Sequence, residues 1–178
     1  MSAQIKIETT KHPKPKPDQK NLGFGKYFTD HMFIMDYSEG KGWHEPRIIP
    51  YQPLALDPAT SVLHYGQAIF EGMKAYPSTD GRMLLFRPRR NMERINRSDD
   101  RMCMPTIDVD FGVEAIKTLV KLDKDWIPTV DCTSLYIRPF VISTDPFLGV
   151  RASNTYKFII ILAPVGAYYT QGIAPVNI

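Results

Sequence analysis

Cysteine is nearly missing from this chain, and the two that occur, Cys103 and Cys132, stand alone without a Cys-x-x-Cys pair. Neither a disulfide framework nor a zinc knuckle can organise such a sequence. Histidine is equally sparse: His12, His31, His44 and His64 show no metal-ligand spacing, and no metal site is expected. No apolar run approaches the ~18–20 residues of a membrane span. The longest, residues 158–163, has the length of a strand. A P-loop, a G-x-G-x-x-G fingerprint and a nucleophile motif are also lacking. Residues 1–20 carry neither the apolar core of a secretory signal nor the arginine-rich amphipathic pattern of a transit peptide, so the cytoplasm is the expected compartment.

What is present is ordinary globular material. Of 178 residues, 43% are hydrophobic and 23% charged, enough for one compact domain with a core. The net charge of +3 raises the question of nucleic acid, but its location argues against that reading. Lysines 6, 11, 14, 16, 20 and 26 face only Glu8 and Asp18 in the first 26 residues, so the excess sits there and the body is close to neutral. The run Lys-His-Pro-Lys-Pro-Lys-Pro-Asp at 11–18 favours extended, solvated backbone. Residues 1–21 are therefore expected to form a disordered basic arm.

Beyond the arm the pattern alternates between strand and turn signals. Residues 24–37 read as an aromatic-rich strand, 38–42 as a glycine turn and 45–51 as a returning strand. Pro50, Pro53 and Pro58 then impose irregular chain. The turn Pro77-Ser-Thr-Asp-Gly-Arg joins 72–76 to 83–86 as a hairpin. Pro88 suits a first helical position, and the spacing predicts a helix over 89–102 with Met92, Ile95 and Met102 inward. A second helix follows, capped by Asp108 or Asp110, with Val113, Ile116, Leu119 and Val120 inward and Trp126-Ile-Pro closing it. Residues 133–144 and 156–164 are strands, the latter apolar enough to be central. Hairpins, then a helix pair, then strands indicate an α+β fold.

Residues 63–76, Leu-His-Tyr-Gly-Gln-Ala-Ile-Phe-Glu-Gly-Met-Lys-Ala-Tyr, concentrate Tyr65, Phe70, Gly66 and Gly72 in one span that suits a small-molecule pocket or an aromatic core turn. Lys74 is the one lysine within it. Arginines 90, 94, 97 and 101 share a helix face. That face is a solvated surface paired locally with acids, a phosphate site in which one arginine turns inward, or a nucleic-acid surface. The last option lacks interleaved aromatics. Tyr136 and Arg138 lie two apart in a strand and point to one side, Ile137, Pro139 and Val141 to the other. Hydroxyl beside guanidinium makes a carboxylate receptor, unless Arg138 merely pairs with an acid across the sheet. The turn at 145–150 has an apolar tip, Leu148 and Val150, suited to contacting a domain or partner.

The strings Phe-Thr-Asp-His-Met (28–32), His-Tyr-Gly (64–66), Phe-Glu-Gly-Met-Lys-Ala-Tyr (70–76), Phe-Arg-Pro (86–88), Asn-Met-Glu-Arg (91–94), Asp-Lys-Asp-Trp-Ile-Pro (123–128), Leu-Tyr-Ile-Arg-Pro (135–139), Leu-Gly-Val (148–150) and Pro-Val-Gly-Ala-Tyr (164–168) occur in this order. As a set they closely resemble the branched-chain amino acid aminotransferases, pyridoxal-phosphate enzymes of fold type IV. The resemblance implies a D-amino acid aminotransferase-like small domain over 22–168, a mostly antiparallel sheet with two helices packed on it, and a linker at 169–178. It implies transamination between leucine, isoleucine or valine and glutamate/2-oxoglutarate in a homodimer, with neither nucleic acid nor membrane as partner. By that likeness Arg94 contacts the cofactor phosphate. Phe24, Tyr65, Phe70, Tyr136 and Tyr168 line the side-chain pocket, Arg138 receives the distal carboxylate of glutamate, and Leu148 and Val150 reach the other subunit's pocket. The family's Schiff-base lysine falls beyond Ile178, so no catalytic residue is expected in these 178 residues, and cofactor binding by them is expected to be weak or absent. A D-amino acid aminotransferase, an aminodeoxychorismate lyase and a non-enzymatic binding module are the alternatives.

Overall fold

The computed structural model describes residues 4–167 as an eight-stranded sheet carrying three helices. In chain order these are β1 (Lys6–Ile7), β2 (His31–Ser38), β3 (Gly42–Pro50), α1 (Ser61–Tyr65), β4 (Ala68–Phe70), β5 (Met73–Pro77), β6 (Met83–Leu85), α2 (Pro88–Arg101), α3 (Val109–Leu122), a single 3-10 turn (Lys124–Trp126), β7 (Ser134–Ser143) and β8 (Thr155–Val165). Strand order is β1-β3-β2-β8-β7-β5-β6, with β4 also on β7. Only the short β1–β3 pairing is parallel, so the α+β, mostly antiparallel expectation holds.

The two sides of the sheet differ. Odd-numbered residues of β7 (Leu135, Ile137, Val141) join Phe33, Phe158, Ile160 and Leu162 in the main core. Over this side lie α2, through Met92 and Ile95, and α3, through Ala115, Ile116, Leu119 and Val120. Each such large side chain withdrawn from water contributes ~1.5–3 kcal/mol. Gly112 lets the helices approach, since a Cβ there would lie 2.4 Å from the Met92 methyl. Asp108 caps α3 by accepting from the Phe111 amide at 2.7 Å. The opposite side carries a smaller cluster, Met32, Ile34 and Ile159, with Ile49, Tyr51 and Leu54 against it. The rest of that side is open.

The central-strand expectation for β8 holds, since it pairs β2 on one side and β7 on the other. Other expectations need correction. Regular strand begins at His31 rather than residue 24, because Gly23 and Gly25 adopt positive φ and bend the chain. Met102 is not inward: α2 ends at Arg101, and Met102 leaves the helix face. Residues 63–65 belong to the short helix α1, which Gly66 ends in the left-handed region.

The arm is also different from expectation: residues 4–21 run along the domain with fixed contacts. The Lys14 amide donates to Asp30 Oδ1 at 2.8 Å, and Trp126 Nε1 donates to Asp30 Oδ2 at 2.8 Å. Lys14 Nζ donates to the Thr29 carbonyl at 2.8 Å and lies over the Tyr51 ring, while Lys16 Nζ lies over Trp126. The Thr10 amide donates to His31 Nε2 at 2.9 Å, so Nδ1 carries the ring proton and donates it to Asp123 at 2.6 Å. Alternating Lys and Pro does keep the backbone extended. Its docking comes from acceptors and rings far along the chain, which composition does not reveal.

One feature of α2 stands apart. Asp99 lies on its inward side with Met92 and Ile95, and neither carboxylate oxygen has a hydrogen-bond partner among the described residues. Burial pushes its carboxyl up to about 7.

Candidate functional site

The open side of the sheet is made by the even-numbered residues of β7. Tyr136 and Arg138 project there, as the spacing required, and are locked together: Arg138 donates to the Tyr136 hydroxyl from Nε at 3.2 Å and from Nη2 at 3.0 Å. The tyrosine oxygen therefore accepts from the guanidinium, and its own proton is directed elsewhere. Arg138 Nη1 has no partner among the described residues. Among the described residues no acid pairs with Arg138, which speaks against a plain edge-strand ion pair. The guanidinium stacks over Phe70 at 4.3 Å from its ring centroid. Phe24 meets Tyr136 edge-on at 5.1 Å, its segment held by the Gly166 amide on the Gly23 carbonyl.

Gly72 makes this packing possible. Strands β4 and β5 follow β7 in one unbroken register, Phe70 opposite Phe140 and Met73 opposite Ile137. The gap between them faces Pro139, which has no N–H to offer. A Cβ on Gly72 would lie 2.2 Å from the Tyr136 hydroxyl oxygen. The ring lies where a side chain would be.

At the rim, α1 is fastened to the end of β7 by the Ser61 hydroxyl on Ser143 at 2.9 Å and by the Ser61 amide on the Asp145 carbonyl. This brings Tyr65 to the 145–150 turn, where its hydroxyl donates to the Leu148 carbonyl. Leu148 is 60% exposed and Val150 90% exposed, so the apolar tip does project from the domain. Phe70, at 63%, and Phe86, at 79%, are uncovered as well.

Arg94 emerges from α2 on the core side of the Glu71–Gly72 link. Glu71 takes it in a two-point grip, accepting from Nε and, at 2.7 Å, from Nη2. Asn91, one turn earlier, donates to Glu71 Oε2 at 3.0 Å and to the Gly72 carbonyl at 3.2 Å. Burial alone pushes the Glu71 carboxyl up, but the donors from Arg94 and Asn91 outweigh it and hold the group below its ordinary value. Arg94 Nη1 has no partner among the described residues, an N–H donor set suited to an anion such as a phosphate ester. The other arginines of that helix differ: Arg89 pairs with Glu93 and Asp110, Arg90 with Glu93 at 2.8 Å, while Arg97 and Arg101 form no ion pair among the described residues.

The structure thus brings Phe24, Phe70, Tyr136 and Arg138 together, sets Tyr65 beside Leu148 and Val150 at the rim, and places Arg94 one dipeptide away. Tyr168 lies outside the described residues. Sequence reasoning passed over Glu71, Asn91, Tyr76 and Phe86. A hollow of about 360 Å³ is lined by Gly72, Met73, Lys74, Tyr76, Phe86, Asn91 and Tyr136. Alternation in β5, with Lys74 opposite Tyr136, was the signal that placed Lys74 and Tyr76 on this side. A larger hollow of about 750 Å³, between α3 and β1, shares no residue with this constellation. Among the described residues no group of three His, Cys, Asp or Glu side chains could hold a metal ion, and no helix is long and apolar enough to cross a membrane.

Known proteins bear on this arrangement. No family model matches the chain. It is 62% identical over 174 residues to branched-chain-amino-acid aminotransferase 2 of Bacillus subtilis strain 168, a match covering 98% of this chain and 48% of that protein. The chain spans about half the length of the curated relatives it matches. The crystal structure of Escherichia coli branched-chain amino acid aminotransferase superposes with a TM-score of 0.54 at 25% identity, over 75% of this chain and 39% of that one. The branched-chain amino acid aminotransferase of Thermobaculum terrenum, in its PLP-form, shares the fold, with a TM-score of 0.53 at 22% identity over 76% and 40% of the two chains. In sequence and in fold, this chain is similar to the N-terminal part of the branched-chain-amino-acid aminotransferases.

Proposed function

We propose that this chain is the substrate-pocket domain of a branched-chain amino acid transaminase, moving an amino group between leucine, isoleucine or valine and 2-oxoglutarate. The observation that carries the reading is the Tyr136–Arg138 pair: a cation and a hydroxyl, both with donors to spare, set into the aromatic wall of Phe24 and Phe70. Aromatic walls accept a branched aliphatic side chain, and one partly desolvated cation accepts the distal carboxylate of the acidic co-substrate. Tyr136 and Phe70 orient Arg138, so the receptor needs little reorganisation when the carboxylate arrives.

Pyridoxal phosphate is the cofactor of this proposal, supported by the PLP-form described for the Thermobaculum terrenum enzyme. When bound it supplies an electron sink for the substrate α-carbon. Arg94 would hold its phosphate through the unpartnered Nη1, and Lys74, Asn91 and Tyr136 line the adjoining hollow. In this reading residues 22–168 are one domain and 169–178 a linker. Leu148 and Val150 meet a second subunit of a homodimer, and the exposed free thiols of Cys103 and Cys132 suit a reducing cytoplasm.

The test is a transaminase assay with leucine, 2-oxoglutarate and pyridoxal phosphate. It is run on this chain alone and mixed with the separately expressed C-terminal half of the Bacillus subtilis relative. Activity on mixing, with none from either half, is the expected result. Turnover by the 178-residue chain alone, or none in any combination although both halves fold and associate, refutes the assignment.

A further inference from the structure

We infer that Glu71 is the positioning residue that presents Arg94 to a phosphate ester, with Asn91 as its strut; this deepens the reading that Arg94 meets the cofactor phosphate and rests on it.

A guanidinium has two edges able to form paired hydrogen bonds, Nε with Nη2 and Nη1 with Nη2. Glu71 occupies the first edge, accepting from Nε and from Nη2. That leaves both hydrogens of Nη1 and one of Nη2 on the other edge, with no acceptor among the described residues. The Arg94 side chain is 57% exposed while that of Glu71 is 7% exposed, so the grip is applied from beneath and the free edge faces outward.

Glu71 is itself held. Its Oε2 accepts from Asn91 at 3.0 Å and from the Gly72 amide at 3.3 Å. Asn91 spends its second amide hydrogen on the Gly72 carbonyl at 3.2 Å. Asn91 and Arg94 are three apart on α2 and share a face, so one carboxylate ties two side chains of the helix to the link between β4 and β5. An exposed arginine on a helix normally samples several rotamers. This one has its Nε fixed to the sheet, next to the glycine that carries the Tyr136 ring. A surface ion pair between mobile side chains would need neither a buried acid nor a second donor to steady it.

The proposal separates two roles. Arg94 touches the anion, and Glu71 acts only through Arg94. The experiment uses the 178-residue chain with inorganic phosphate and pyridoxine 5'-phosphate as probes, the latter having no aldehyde to react with lysines. Binding is read from the Arg94 Nε–H NMR resonance and from the phosphorus shift of the probe. In the wild type both signals move together on titration, and R94K abolishes the response. E71A weakens binding about tenfold, because the guanidinium must then be ordered by the ligand itself. E71Q keeps one acceptor oxygen but sets an N–H donor against the donors of Arg94 or Asn91, so it recovers only part of the affinity lost in E71A. E71D, one methylene shorter, falls between and serves where E71A does not fold. Wild-type affinity in folded E71A or E71D overturns the role of Glu71 and leaves the Arg94 assignment standing. A wild-type Arg94 signal that responds to neither probe at millimolar concentration overturns both.

Discussion

Replacing Gly72 by alanine tests whether the Tyr136 ring truly occupies side-chain space. The added Cβ would sit 2.2 Å from the hydroxyl oxygen, 3.0 Å from Cζ and 3.2 Å from Cε2. Ordinary contact needs about 3.4 Å or more, so the ring must swing by over an ångström or the strand must part from β7. Swinging the ring breaks the donations from Arg138 at 3.0 and 3.2 Å and the edge contact with Phe24. Overpacking of this kind costs ~1–3 kcal/mol, and the lost hydrogen bonds, at a half-buried site, about 1 kcal/mol more. The sum is roughly 2–4 kcal/mol, which for a chain of this size lowers Tm by roughly 5–15 °C. Urea denaturation with a thermal melt measures it. Y136F removes the atom in closest conflict, so G72A placed in Y136F should cost about half as much as in the wild type. A G72A variant within about 0.5 kcal/mol of wild type, or a cost that Y136F does not reduce, refutes the account of how the receptor is built.

Three further outcomes are expected. Asp99 has its folded pKa near 7 against an ordinary 3.8, so its carboxyl supports folding below pH 4 and that support is lost as pH rises towards 7. D99N should flatten the stability profile between pH 4 and 7 and be the more stable protein at pH 8 by roughly 2–4 kcal/mol, measured by denaturant titration; a wild-type profile that rises with pH in this window contradicts the unpartnered carboxylate. D30N weakens acceptors used by the Lys14 amide and by Trp126 and should cost about 1–3 kcal/mol while freeing the arm. Hydrogen exchange reads this directly, since the Lys14 amide is protected in the wild type and exchanges freely in D30N, and an unprotected wild-type amide would refute the docked arm. Under the proposed function, R138Q placed in a full-length enzyme should lower kcat/KM for glutamate and 2-oxoglutarate by about 2–3 kcal/mol, roughly 30- to 150-fold, and change leucine little; equal losses would make Arg138 structural.

How much of this was legible in the sequence varied with the range of the interaction. The alternation of β7 was plain, and it put Tyr136 and Arg138 on one side before any partner strand was known. Turn chemistry at 77–82 and the Asp108 cap were local signals and sufficed for β5, β6 and α3. Arginines 90, 94, 97 and 101 of α2 were alike in spacing, and only the docking of the helix onto Glu71, some twenty residues earlier, singles out Arg94. Glu71 itself looked like any acid in a strand, because its burial is a property of the helix above it. The arm misled for the same reason. Lysine and proline specify extension, whereas Asp30, His31, Tyr51 and Trp126 decide where an extended segment rests. Residue pairs far apart in the chain carried what the sequence pattern could not.

The unbroken register of β4 and β5 along β7 has a consequence for how this stretch can change by insertion and deletion. Met73 and Ala75 are counted into the core and Lys74 and Tyr76 into the open side by parity alone. One residue added or removed between Phe70 and Met73 would exchange the two sets, sending a lysine and a tyrosine into the helices and a methionine to the ligand side. Two residues would restore the parity but slide Gly72 away from Tyr136. The length of this segment is therefore fixed twice over, once by the core and once by the receptor. Its composition has more freedom: a library that varies residues here at constant length should yield many folded members, and one that varies length by a single residue almost none.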